Sequence, residues 1–280
     1  MAQTSAPPQA RRGLRLAWLA AILILFAAMP AAAEPLEQRI NALAPHLTVT
    51  QPEGDGPFPV LFMLHGCGGP RPFLDEMTEV AVAAGAVVVN INSYGHRRIG
   101  QVRAYATVCT GAQLHGRERA GDLYAAMAWA RRQAWADATR FAAIGWSHGG
   151  WTILDALSLR SGAEMARATG LEGLADEPLE GLAATMVVYP YTGVGSLVGR
   201  RPWRITPRSI AIVAENDYIV GDARRALEHQ RGRGAPLEID IFEGATHAFE
   251  DAQARDLRVR FHPAHTAREH EMLRAMIAGL

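Results

Sequence analysis

Phe141-Ala142-Ala143-Ile144-Gly145-Trp146-Ser147-His148-Gly149-Gly150 is the stretch on which the reading of this chain turns. An apolar run with the composition of a buried strand enters Gly-x-Ser-x-Gly, and residues 151–159 continue as an apolar helix. A strand, a sharp turn and a helix in that order hold a serine hydroxyl clear of the main chain. Glycines are needed on either side because side chains there would clash with the turn. A hydroxyl is a poor nucleophile at its own pKa and has to be presented to a base. The five-residue pattern alone is common; its place between strand and helix makes Ser147 the candidate nucleophile.

Working outward, short β-like runs alternate with helical patterns, the signature of a mostly parallel sheet covered by helices. Residues 58–64 are nearly continuously apolar, as suits a strand buried on both faces, and end at His65-Gly66. Strands are also predicted over 86–91, 183–189, 209–214 and 237–242. Helices are predicted over 75–84, 117–132, 222–230 and 266–277. The connections 94–116 and 160–181 are long, which fits either lids and binding loops or plain surface excursions. On the helix 117–132, Arg119 and Asp122 are three apart and read as a structural ion pair.

A serine elbow needs a histidine downstream, with an acid between them in the chain. Of ten histidines, His247 lies just past the last predicted strand, at the carboxyl edge of the sheet where open α/β sheets build sites. Asp217 ends the preceding strand and is the candidate acid, which would hold the imidazole tautomer and stabilise the imidazolium. Asp222 is its rival, with a helix N-cap as its other role, and Glu215 is a weaker one. For the oxyanion, the N–H of His148 follows the nucleophile. A second donor is expected from His65-Gly66-Cys67-Gly68-Gly69, with Cys67 first and Gly68 next. His262, His265 and His270 lack the spacing of a metal motif and read as a helix face. No cofactor is called for. Arg97, Arg98 and Arg103 suit either a substrate carboxylate or solvent.

Residues 1–33 stand apart. Arg11, Arg12 and Arg15, an apolar run to Ala28, and Ala31-Ala32-Ala33 follow the grammar of a signal peptide. The expectation is a cleaved leader over residues 1–33 and one domain over 34–280, exported to the periplasm or beyond. An uncleaved anchor and a twin-arginine route are the alternatives. The 28 basic residues are all arginine and match 28 acids. That balance leaves no field to draw nucleic acid or an anionic membrane, and after cleavage no stable membrane insertion is expected. Cys67 and Cys109 are the only cysteines. In an oxidising compartment they can form one disulfide; two reduced, buried thiols are the other state.

His65-Gly66-Cys67-Gly68-Gly69, Gly145-Trp146-Ser147-His148-Gly149-Gly150, Asn216-Asp217-Tyr218-Ile219-Val220 and Gly244-Ala245-Thr246-His247-Ala248-Phe249 together resemble the dienelactone hydrolase family of the α/β-hydrolase superfamily, over roughly 55–275. The resemblance implies an α/β-hydrolase fold and the triad Ser147, Asp217 and His247. It departs at the elbow, where the name-giving enzymes carry cysteine. Serine-bearing relatives resemble general carboxylesterases more than lactone openers, so the resemblance carries over the fold and the triad and not the substrate. The expected reaction is hydrolysis of a small-molecule carboxylic ester, with a lactone as the other option. An acyltransferase or a peptidase would use the same triad. A non-catalytic binding protein on this fold is the reading from another class, disfavoured because nucleophile, acid, base and glycine turn are all present.

Overall fold

The computed structural model describes Met1 and residues 33–280, so all but the two end residues of the predicted leader lie outside the described residues. Glu34–Leu280 forms one compact unit. Its centre is a seven-stranded sheet in the order β2-β4-β3-β5-β7-β8-β9. The strands are β2 (Leu47–Thr50), β3 (Phe58–Leu64), β4 (Val87–Ile91), β5 (Ala136–Trp146), β7 (Leu182–Val188), β8 (Arg208–Ala214) and β9 (Leu237–Phe242). Every neighbouring pair is parallel except β2 with β4, which is antiparallel. A second, two-stranded sheet pairs β1 (Glu34–Pro35) with β6 (Leu171–Glu172). This is the mixed α/β architecture expected from the alternation of strand and helix patterns.

Side chains alternate across each strand, so the sheet carries two cores. On one face Val60, Phe62, Leu64, Val87, Val89, Phe141, Ala143 and Val213 pack against helices α1 (Leu36–Leu43), α4 (Gly116–Ala130), α5 (His148–Ser158) and α7 (Arg224–Gly232). On the other, Leu61, Met63, Val88, Ile144, Met186 and Ile212 pack against α2 (Phe73–Ala83) and α8 (Pro263–Ala278). Because the central strands are covered on both sides, they have no polar face, which is why they read as continuous apolar runs.

The two long connections have different fates. In 94–116, a short helix α3 (Gln101–Arg103) passes into a π-helical turn (Ala104–Val108). Tyr94, Ile99, Ala104, Val108 and Leu114 form a small separate core there, with Cys67 packed against it. In 160–181, α6 (Ala163–Thr169) sits between Gly162 and the left-handed Gly170. Among the described residues no helix is long and apolar enough to cross a membrane.

One expectation fails. Arg119 and Asp122 do not pair: Asp122 accepts from the two terminal guanidinium nitrogens of Arg97 (2.6 and 3.0 Å) and from Arg39 Nη1 (2.9 Å). Local helical spacing sets which side chains are neighbours, and partners 25 and 83 residues away compete for the same carboxylate. Burial by itself would raise the Asp122 carboxyl, but the two arginines hold it well below the usual carboxylate range.

Candidate active site

The parallel strands β3, β5, β7, β8 and β9 end on one edge of the sheet, and every residue of the predicted site follows one of these ends. Ser147 links β5 to α5 with φ +52°, a conformation costly for a residue with a side chain and kept where the surroundings enforce it. They do so here: its N–H donates to the Val188 carbonyl (2.9 Å) and its own carbonyl accepts from the Trp151 N–H (3.0 Å). The flanking glycines are required by contact. A Cβ on Gly149 would lie 2.0 Å from the Leu64 carbonyl oxygen, and one on Gly145 would lie 2.4 Å from the Gly149 carbonyl carbon.

His247 stands in the loop after β9, buried, with its ring 4.5 Å from that of Tyr189. Its Nδ1 lies 2.7 Å from Asp217 Oδ2. The other Asp217 oxygen accepts from the N–H groups of Ile219 (2.9 Å) and Val220 (3.0 Å). Three donors therefore fix the carboxylate, and in the neutral imidazole the Nδ1 proton points to Asp217, leaving the Nε2 lone pair free. The rivals are engaged elsewhere. Asp222 is exposed and accepts from the Arg224 N–H at the start of α7, close to its alternative capping role. Glu215 accepts from the Gly244 N–H.

The turn 65–69 crosses in front of the elbow; a Cβ at Gly66 would lie 3.7 Å from Ser147 Cβ. Three consecutive carbonyls in it are fastened. That of His65 accepts from Arg119 Nη1 (2.7 Å). That of Gly66 accepts from the Gly69 N–H (3.2 Å) and from His65 Nδ1 (2.7 Å). That of Cys67 accepts from the Tyr94 hydroxyl (2.7 Å). The Cys67 N–H has no partner among the described residues, and His148, as the first residue of α5, carries one of the N–H groups a helix leaves unpaired. Cys67 is joined to Cys109 by a disulfide, so the small helical segment 101–108 is tied to this turn.

Ser147, His247 and Cys67 line one cleft of about 1110 Å³. Its lining includes Phe73, Tyr105, Trp146, Tyr189, Ile219 and Val259, together with Arg71 paired to Asp251 (2.8 Å) and Arg258 paired to Asp256 (2.6 Å). Gln101 and Tyr105 belong to the 94–116 connection, which thus forms a cleft wall, whereas no residue of 160–181 lines it. Trp151, in the first turn of α5, is buried with its Nε1 donating to Asp155 (2.8 Å). Of the three arginines weighed for a substrate carboxylate, Arg97 is taken by Asp122 and Arg103 by Gln113 (3.3 Å).

Behind the cleft lie residues that no motif announced. Trp146 Nε1 donates to Glu269 (2.8 Å) and the Tyr189 hydroxyl to Glu250. Both carboxyls are fully buried, and burial pushes Glu250 up to about 8 and Glu269 well above the usual range. They brace, as neutral carboxyls, the residue before Ser147 and the ring packed on His247. His148 is also neutral, since burial and the adjacent Arg119 charge push it down to about 3.

Comparison with known proteins places this geometry among similar folds. The model of the prolyl oligopeptidase family matches residues 73–164, which include the elbow. No curated protein sequence matches. Among solved structures, the chain is similar to a thermophilic esterase from Thermogutta terrifontis, at 15% identity over 84% of this chain and 88% of that one, TM-score 0.57. It is similar to a dienelactone hydrolase from Anabaena variabilis, at 19% identity over 80% and 88%, TM-score 0.53. A hyperthermophilic esterase from Pyrobaculum calidifontis aligns at 16% identity over 83% and 80%, TM-score 0.53. These likenesses establish the α/β-hydrolase fold.

Proposed function

We propose that the chain is a serine hydrolase that cleaves small carboxylic esters or lactones through an acyl-enzyme on Ser147. The observation that carries the reading is the convergence of Ser147, on its constrained turn, and the Asp217–His247 pair on one cleft. In this reading His247 Nε2 takes the Ser147 proton as Oγ attacks the ester carbonyl. The N–H groups of Cys67 and His148 hold the resulting oxyanion. The tetrahedral intermediate collapses, the leaving alcohol takes the proton from His247, and the acyl group stays on Ser147. Water, deprotonated by His247, then attacks the acyl carbonyl. The second intermediate collapses with cleavage of the acyl–Oγ bond, Ser147 Oγ takes the proton back from His247, and the acid is released. Asp217 stays ionised throughout and orients the imidazole. No step calls for a cofactor.

The substrate class is supported by the cleft, whose lining combines aromatic and aliphatic side chains with polar groups, among them the paired Arg71–Asp251 and Arg258–Asp256. It is also supported by what the similar folds are described as, esterases and a dienelactone hydrolase. The Thermogutta esterase is phosphorylated by paraoxon, which makes an organophosphorus probe the natural reagent. We further propose an oxidising compartment for the chain, on the leader-like residues 1–33 and on the Cys67–Cys109 disulfide.

The test is labelling of the purified protein by a fluorophosphonate probe with p-nitrophenyl acetate turnover in the same samples. Both should be present in the wild type and absent in Ser147→Ala. Equal behaviour of the two proteins would defeat the reading. The prolyl oligopeptidase match supports a second reading, a peptidase on the same triad. Turnover of an aminoacyl p-nitroanilide faster than of the ester would favour it.

A further inference from the structure

Arg119 is fully buried, yet it makes no ion pair with any carboxylate among the described residues. Its nearest sequence partner, Asp122, is occupied by Arg39 and Arg97. A buried cation without a carboxylate is expensive, and Arg119 Nη2 is in addition buried with no hydrogen-bond partner among the described residues. Burial draws Arg119 down to about 10, so it remains a cation at neutral pH. A fold that keeps such a charge needs something for it to do.

Its contacts say what. Nε donates to Ser93 Oγ (2.8 Å), which fixes the plane of the guanidinium. Nη1 then reaches two groups at once, the His65 carbonyl (2.7 Å) and His148 Nδ1 (3.2 Å). Arginine can only donate and the Leu114 carbonyl can only accept, so the second contact of His148, Nε2 to Leu114 O at 2.7 Å, settles its tautomer. The proton is on Nε2 and the lone pair of Nδ1 faces Arg119. One nitrogen therefore spans the two segments that carry the proposed oxyanion donors: the turn leading to Cys67, and His148 itself. The Gly66 carbonyl shares its peptide with the Cys67 N–H, so the bonds it accepts from the Gly69 N–H and from His65 Nδ1 strengthen that donor while the turn is held in place.

We infer that Arg119 is a positioning residue for the oxyanion site, locking the Cys67 turn and His148 in register and lending an uncompensated positive charge to the side where the tetrahedral anion forms. The inference rests on the proposed serine-hydrolase reading. Charge that develops only in the transition state gains most from such a fixed environment, so the effect belongs in kcat and not in KM.

The experiment compares wild type, Ser147→Ala, Arg119→Lys, Arg119→Met and Ser93→Ala on p-nitrophenyl acetate, with phenylboronic acid as a tetrahedral inhibitor and melting curves for each. Arg119→Met should lose about 10- to 100-fold in kcat, less than the 10²–10³ of a direct donor. Its KM should stay within about threefold, and its boronate affinity should fall in parallel with kcat/KM. Arg119→Lys, which keeps the charge and loses the fork, should recover part of kcat. If Arg119→Met does not fold, Arg119→Lys and Ser93→Ala carry the test: each should lower kcat severalfold at constant KM. Full kcat in the Arg119 variants, or losses that appear equally in KM and leave boronate affinity unmoved, overturns the inference while a dead Ser147→Ala leaves the hydrolase reading standing. A wild type without Ser147-dependent turnover overturns both.

Discussion

Replacing both cysteines, Cys67→Ala with Cys109→Ala, removes a cross-link that closes 42 residues of chain. In the chain-entropy account, closing a loop of that length takes about 13 cal/mol/K from the unfolded ensemble, or about 4 kcal/mol at 25 °C. For a unit of this size each kcal/mol moves the melting temperature by about 2–4 °C, so a fall of about 8 °C or more is expected. The stretch around Cys109 contributes Ile99, Ala104 and Val108 to the small cluster, while the ends of the connection are held by Arg97 on Asp122, Tyr94 on Cys67 and His148 on Leu114. Circular-dichroism melts of oxidised wild type, reduced wild type and the double variant measure the effect, and reductant should shift only the wild type. Turnover of p-nitrophenyl acetate should fall severalfold as well, since the freed segment supplies Tyr105 and Gln101 to the cleft wall. A double variant melting within 2 °C of wild type would refute the argument and assign the stability of the segment to its packing.

Other outcomes follow from the same geometry. Asp217→Asn should reduce kcat by about 10⁴-fold by allowing the wrong imidazole tautomer, while Asp222→Asn stays within about twofold; steady-state kinetics on one ester decides between the two acids. Gly149→Ala should cost at least the ~1–3 kcal/mol of an overpacked core, because its methyl would meet the Leu64 main chain and no flexible side chain; urea unfolding measures it. Glu250 has a folded value of about 8 against 4.5 for the free group, so the folded state holds its proton more tightly. Its stabilising effect is complete below pH 4.5 and is lost as pH rises towards 8, at up to about 1.4 kcal/mol per pH unit. Glu250→Gln should flatten that decline, so that the difference in unfolding free energy, variant minus wild type, rises from pH 5 to 8. A constant gap would show that the carboxyl does not titrate there.

How much of this was legible in the sequence depended on the range of the interactions. The central strands could be read because each is buried on both faces, and the elbow because its glycines answer to contacts within one turn. Strand β2 escaped notice: four residues on a sheet edge, alternately half-buried and exposed, carry little pattern. The predicted strand 141–144 begins at Ala136 in the structure, its polar first half paired only where Ala136 meets Phe58. Helix α6 is a single short segment between glycines and too brief for a periodic signal. Among the site residues, Ser147, Asp217 and His247 announced themselves through local motifs. Tyr94, Arg119, Glu250 and Glu269 did not, because each acts on a residue 27 to 123 positions distant, or, for Glu250, on a ring 61 positions away. No local spacing encodes such partners, and for Arg119 the local spacing pointed to the wrong one.

The three fastened carbonyls of the turn 65–67 have a consequence for how the chain would respond to temperature. Ordering a main-chain residue costs about 1–2 kcal/mol, and here that cost is met once, when the sheet forms, and not at each encounter with a substrate. If the proposed activity holds, a turn fastened in this way should keep its rate close to the melting temperature and lose it together with the fold; activity lost well below the melting transition would show that the turn loosens first.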